Sequence, residues 1–254
     1  MKRILRLLAV SGLAVFLTLF GSSILTNIHL KYLRILSRNT VLLHNSQGSG
    51  ASGFIVKGKS GKKYVMTNNH VCELEEKIGG RSGIFVIYQG DEYFLPVIKH
   101  YSENDLCAVD APSTAHLAAN IARSVSLGES AYAVGHPQLE PLSIAVGELS
   151  DYIKVTVVVG KNIKPDTCQG PGYELRSIEN GKLDPLALIF GIENLCIRTV
   201  IANTSSIIIA PGNSGSAVVN IYGSVVGVVF AANESGTRSY VVPLYDLKKF
   251  LSEL

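Results

Sequence analysis

The chain has 254 residues, a formal charge of +3, 47% hydrophobic residues and 17% charged ones. That is enough for one large domain or two small ones around a buried core, and it excludes a disordered chain, a collagen and a polytopic transporter. Residues 1–72 hold ten Lys/Arg and no acid, whereas residues 73–254 hold 13 Lys/Arg against 20 Asp/Glu; a nucleic-acid binder carries its positive charge on the folded part, so the split argues against nucleic acid and for a membrane.

Lys2, Arg3 and Arg6 precede an uncharged run of 22 residues from Leu7 to Ile28. As a helix this run is about 33 Å long, enough to cross a bilayer core. Its densest part, Leu7–Phe20, also suits a signal-peptide core, with Gly21-Ser22-Ser23 as the small residues after it. An uncleaved signal-anchor is favoured over a cleaved signal and over a buried helix. Lys31, Arg34 and Arg38 on the far side balance the three leading cations, so charge does not fix the orientation. The first segment is therefore 1–38, a basic-flanked membrane or signal segment, with residues 29–38 suited to anionic headgroups.

From residue 39 onward, short β-rich runs alternate with Gly, Asn, Asp and Ser. FIVK, KYVMT, GIFVIY, YFLPVI, LCAV, AYAV, LSIAV, YIKVTVVV, SIIIA, SAVVN, SVVGVVF and SYVVP follow one another closely. That density predicts an all-β sandwich or pair of barrels over 39–254. Without strand–helix–strand alternation, a parallel α/β sheet is not expected. Residues 160–185, rich in Gly and Pro, read as a long surface loop. One helix is expected after the N-terminal segment, starting at Pro243 with Leu244, Leu247, Phe250 and Leu251 on its apolar face.

Three segments carry chemistry: Thr67-Asn68-Asn69-His70-Val71, Asn104-Asp105-Leu106-Cys107-Ala108-Val109, and Pro211-Gly212-Asn213-Ser214-Gly215-Ser216. Each alone reads more readily as a structural histidine, a turn aspartate and a tight turn. Together they supply what a hydrolytic serine needs: a base, and a carboxylate to hold that base in one tautomer. Gly212 lets the backbone turn so that its N–H and that of Ser214 point at one spot, an oxyanion hole.

In these segments the chain resembles the trypsin-like serine peptidases, most closely the HtrA/Deg-type branch, with features of the glutamyl endopeptidases. The likeness runs from Gly48-Ser49-Gly50-Ala51-Ser52-Gly53-Phe54 through TNNHV, DLCAV, Leu127-Gly128-Glu129, Gly135-His136-Pro137 and Gly212-Asn213-Ser214-Gly215 to Val241-Val242-Pro243 and the last helix. It implies two six-stranded antiparallel β-barrels with a boundary at about 120–130 and a C-terminal helix, preceded by the hydrophobic N-terminal helix read above from the apolar run. It also implies Ser214 as nucleophile, His70 as base and then acid, Asp105 as orienter, and an oxyanion hole of Gly212 and Ser214. The substrates would be proteins or peptides, cut by a membrane-anchored or secreted enzyme outside the cytoplasm. No cofactor, metal or nucleic acid is called for. The alternative is an inactive, chaperone-like binding module on the same fold.

The chain departs from the family at several points. Asn213 stands where the digestive branch has Asp, so an ion pair with a freed N-terminus is not expected. The strand Gly227–Ala232 lacks the His of glutamate-specific relatives. A pocket of Ile208, Val229, Phe230 and Ala231 would suit a small or medium apolar residue before the cut, the other reading being plain core residues. HtrA-type chains continue into a PDZ domain, and none is expected here.

No C-x-x-C pair occurs among Cys72, Cys107, Cys168 and Cys196, so zinc is not expected. Cys72 and Cys107 each follow a triad candidate by two positions and read best as two small buried thiols, with a close approach beside the site as the other reading. Cys168 and Cys196 bracket the Gly/Pro-rich stretch, and a bridge between them would pin it in an oxidising compartment.

Overall fold

The computed structural model describes residues 37–161, 168, 173–177, 194–233 and 235–254. The expected N-terminal hydrophobic helix and its membrane role lie outside these residues. Among the described residues, no helix is long and apolar enough to cross a membrane.

The chain builds two antiparallel sheets in succession. The first contains β1 (Thr40–His44), β2 (Gly50–Lys57), β3 (Lys63–Thr67), β4 (Glu76–Ile78), β5 (Arg81–Tyr88), β6 (Asp91–Leu95), β7 (Val97–Tyr101) and β8 (Leu106–Asp110). Its order is β4-β5-β1-β2-β3-β8-β7, with β6 on β5. A four-residue helix, α1 (Asn69–Cys72), follows β3. The second sheet contains β9 (Ser130–Gly135), β10 (Ser143–Lys161), β11 (Tyr173–Ser177), β12 (Asn194–Ser205), β13 (Ala217–Asn220), β14 (Val225–Ala232) and β15 (Ser239–Pro243). Its order is β10-β9-β13-β14-β15-β12-β11, and β12 also pairs back onto β10. Among the described residues the sheets hold eight and seven strands rather than six each. Residues 111–129 connect them and carry one parallel bridge, Ile121 to Val225.

Local chemistry explains where the elements differ from the expected runs. YFLPVI is two strands because Pro96 has no N–H to give to a ladder. SIIIA is not a strand. Ser205 Oγ accepts the N–H of Ile207 at 3.0 Å, which turns the chain out of β12 and leaves Ile207 buried and Ile208 exposed. β1 and β12 were not among the expected strands, and β10 and β11 extend into the stretch read as a loop. α2 (Leu244–Ser252) buries Leu244, Leu247, Phe250 and Leu251 as its periodicity predicts, with Pro243 as its N-cap.

Each sheet has its own apolar cluster: Val41, Leu43, Ile55 and Ile84 in the first, and Leu149, Ile207, Val218 and Val241 in the second. A third cluster joins them. Phe54, Met66 and Leu106 from the first sheet meet Val134, Val228 and Phe250 from the second sheet and α2. Alternation makes this possible: along β2, Phe54 and Val56 face the joint while Ile55 faces its own sheet's interior.

Candidate active site

His70 lies in α1, immediately after β3. Asp105 precedes β8 with φ +52, a left-handed conformation that Asp tolerates better than most residues. Register brings the two together, because β3 pairs with β8 antiparallel and Thr67 lies opposite Cys107. Asp105 then grips His70 twice. Its Oδ1 accepts the His70 backbone N–H at 3.0 Å, and its Oδ2 accepts Nδ1–H at 2.8 Å. Asn68 Nδ2 donates to the Asp105 carbonyl at 2.9 Å, fixing the aspartate backbone in turn. With Nδ1 occupied as a donor, the neutral imidazole presents Nε2 as an acceptor.

Burial pulls the His70 pKa down, but the hydrogen bond and charge of Asp105, with the charge of Glu73 behind them, outweigh it and leave the group above its ordinary 6.5. Glu73 is held in place by Asn69 Nδ2 at 2.8 Å, and Asn69 Oδ1 in turn meets His100 Nδ1 at 2.9 Å.

Cys72 and Cys107 form a disulfide, which corrects the expectation of two separate thiols. The reason is the same register: Cys107 sits opposite Thr67, and the turn of α1 carries Cys72 back over it. Cys168 and Cys196 are also bonded, across 28 residues.

Ser214 lies in the loop between β12 and β13, which docks on the first sheet. Ser52 N–H donates to the Ser214 carbonyl at 2.8 Å. Thr67 Oγ1, three residues before His70, donates to the Ser52 carbonyl at 2.8 Å. Gly215, at φ +82, packs so closely here that a Cβ would run into the Ser52 carbonyl and Thr67 Oγ1. Among the described residues no hydrogen bond joins the Ser214 hydroxyl to His70.

The N–H groups of the loop divide cleanly. Asn213 donates to Ala210 at 3.1 Å, Gly215 to Val229 at 2.9 Å and Ser216 to Asn213 at 2.9 Å. Those of Gly212 and Ser214 have no partner among the described residues and are free for a ligand. Gly212 has φ +92, open to glycine at no steric cost. Asn213 is buried and accepts from Ser216 Oγ at 3.2 Å, so the residue in the aspartate's place is held within its own loop.

The residues expected to form a specificity pocket do not share one surface. Ile208 is 69% exposed, Val229 is closed within the second sheet's core and Phe230 is in the joint between sheets, near the Tyr240 ring. Ala231 is partly buried against that joint. Val229 contributes backbone instead, bonding Gly215 and Ser216. The sequence reasoning passed over Ser52, Thr67, Asn68 and Asn69, although all four lie inside the segments that carry the family likeness. Among the described residues, no group of three or more His, Cys, Asp or Glu is arranged to hold a metal.

The family model for the trypsin-like peptidase domain matches residues 51–228. Among known proteins, the chain is 27% identical over 222 residues to the serine protease Do-like HtrA of Bacillus subtilis (strain 168), covering 82% of this chain and 39% of that protein. It is 27% identical over 230 residues to the serine protease Do-like HtrA of Lactococcus lactis subsp. cremoris (strain MG1363), covering 86% and 47%. The chain thus spans less than half the length of these relatives. Among solved structures, the active form of the Rv3671c protease from M. tuberculosis matches with a TM-score of 0.61 at 16% identity, covering 87% of this chain and 82% of that one. The serine endoprotease from Yersinia pestis matches with a TM-score of 0.58 at 18% identity, covering 89% and 66%. A family match across most of the folded part, with the histidine, aspartate and serine segments inside it, means that the chain belongs to the trypsin-like peptidase family, with HtrA-type serine proteases as its relatives.

Proposed function

We propose that this chain is a serine endopeptidase that cleaves proteins and peptides through Ser214, His70 and Asp105. The observation that carries the reading is the pairing of a doubly held His70–Asp105 unit with two unbonded N–H groups at Gly212 and Ser214. His70 Nε2 takes the Ser214 hydroxyl proton as Oγ attacks the scissile carbonyl, and the resulting imidazolium is stabilised by Asp105. The oxyanion is received by the N–H groups of Gly212 and Ser214. Collapse breaks the C–N bond, and the leaving amine takes the proton from His70. Water, deprotonated by His70, then attacks the acyl-enzyme and restores the Ser214 hydroxyl. Misfolded proteins are among the proposed substrates.

The domain is proposed to work outside the cytoplasm, tethered through residues 1–38 or secreted. The basic-flanked apolar run supports the membrane role, and the two disulfides support an oxidising compartment. An inactive binding module is not favoured, since all three reactive residues are present. A fluorophosphonate probe applied to membrane and soluble fractions tests both parts. Wild-type protein should label and Ser214→Ala should not; equal labelling of the two would sink the assignment. The fraction that carries the label reports the tether.

A further inference from the structure

Ser52 lies on β2 of the first sheet, fully buried, and uses every polar group it has. Its N–H donates to the Ser214 carbonyl and its own carbonyl accepts from Thr67 Oγ1, each at 2.8 Å. Its hydroxyl donates to the Gly212 carbonyl at 2.8 Å and accepts the His136 N–H at 2.8 Å. The directions are fixed by chemistry, since a carbonyl only accepts and an amide N–H only donates. One residue of the first sheet therefore holds the carbonyls on both sides of Asn213 in the nucleophile loop of the second.

The placement matters because of what Gly212 has to do. The peptide unit is planar, so the direction of a carbonyl sets the direction of the N–H in the same plane. The Gly212 N–H belongs to the peptide whose carbonyl is that of Pro211, and Gln138 N–H donates to that oxygen at 2.6 Å. The next peptide begins at the Gly212 carbonyl, which Ser52 Oγ holds. Both planes around Gly212 are thus tied to His136–Gln138, one directly and one through Ser52. Gly212 also packs closely on this stretch, where a Cβ would run into the Gln138 N–H and the His136 carbonyl.

We infer that Ser52 is the positioning residue of the oxyanion site. Its hydroxyl holds the Gly212–Asn213 peptide and its N–H holds the Ser214–Gly215 peptide, the two units that flank the peptide carrying the Ser214 N–H, so that this N–H keeps its direction beside that of Gly212, whose own plane Gln138 holds. The inference rests on the peptidase reading above. It names a residue outside the three that react, and its effect belongs to the transition state rather than to substrate binding.

The test uses the full chain and the variants Ser52→Ala, Ser52→Thr and Ser52→Cys, assayed well below each melting midpoint. Ser52→Ala is expected to lower kcat by about 10- to 100-fold, less than the roughly 10²–10³ of losing a donor outright. KM should stay within about twofold, because ground-state contacts are untouched. Fluorophosphonate labelling should slow in parallel, and the midpoint of the acid limb of kcat/KM should not move, since His70 and Asp105 keep their contacts. Ser52→Thr, which keeps the hydroxyl, should recover most of the rate. If Ser52→Ala does not fold, Ser52→Cys keeps nearly the same volume with a weaker donor and should show the same loss of kcat. A folded Ser52→Ala or Ser52→Cys with wild-type kcat overturns the inference, as does a loss confined to KM or to the melting midpoint. Failure of the wild-type chain to label overturns the peptidase reading instead, so the two outcomes are distinct.

Discussion

Asp105 does more at the site than charge pairing. It fixes the ring of His70 through one oxygen and the backbone of His70 through the other. Because its hydrogen bond and charge hold the His70 pKa above 6.5, the neutral base becomes available only as pH rises past that raised value. The acid limb of kcat/KM should therefore have its midpoint above 6.5, measured on a peptide substrate. Asp105→Asn removes the charge and the fixed tautomer. It should lower kcat by about 10⁴ and move the acid limb down, because burial then acts with little opposition. Stability runs the other way. The protonated His70–Asp105 pair stabilises the fold below the unfolded-state pKa of about 6.5, and that contribution fades as pH rises through the raised folded-state value. The pair contributes least to stability where it is most useful for chemistry. These residues were legible from the sequence because histidine, aspartate and serine each sit in a short segment with local backbone demands. Ser52 was not, because its role depends on a loop more than 150 residues away that only folding brings close.

At the level of elements, the Cys72–Cys107 disulfide fastens α1, which carries His70, to β8, which Asp105 immediately precedes. It closes a loop of 35 residues, worth about 4 kcal/mol on the chain-entropy model. The Cys72→Ser/Cys107→Ser double variant should lose roughly 2–4 kcal/mol in denaturant unfolding. A mild reductant should lower the activity of the wild type and of a Cys168→Ser/Cys196→Ser variant, but not of the Cys72/Cys107 variant. Equal sensitivity of all three would show that this bridge does not support the site. Spacing could not reveal the bridge, since two cysteines 35 residues apart fit many geometries; the register of Thr67 against Cys107 decides it. The same distance between pattern and register hid β12. Its run, NLCIRTVIANTS, mixes polar and apolar residues, while the apolar SIIIA beside it drew the assignment and proved to be a turn into the nucleophile loop. α2 was legible because four apolar side chains at helical spacing leave few alternatives.

Across the whole molecule, the joint between the sheets matters as much as either sheet. Phe250 of α2 is fully buried there and stacks on Tyr101 of β7, ring centroids 5.3 Å apart. Phe250→Ala should cost about 3–5 kcal/mol, read as a shift of the denaturation midpoint, and a change below 1 kcal/mol would mean that the joint repacks freely. The first sheet brings His70, Asp105 and Ser52, while the second brings Gly212 and Ser214. Neither half holds a complete set of reacting groups, and the hydrogen bonds of Ser52 span the seam. On the proposed peptidase reading, turnover would therefore be a proximity signal. It reports that two separately cored halves are seated against each other, and it would fall silent when they part, before either half has lost its own strands.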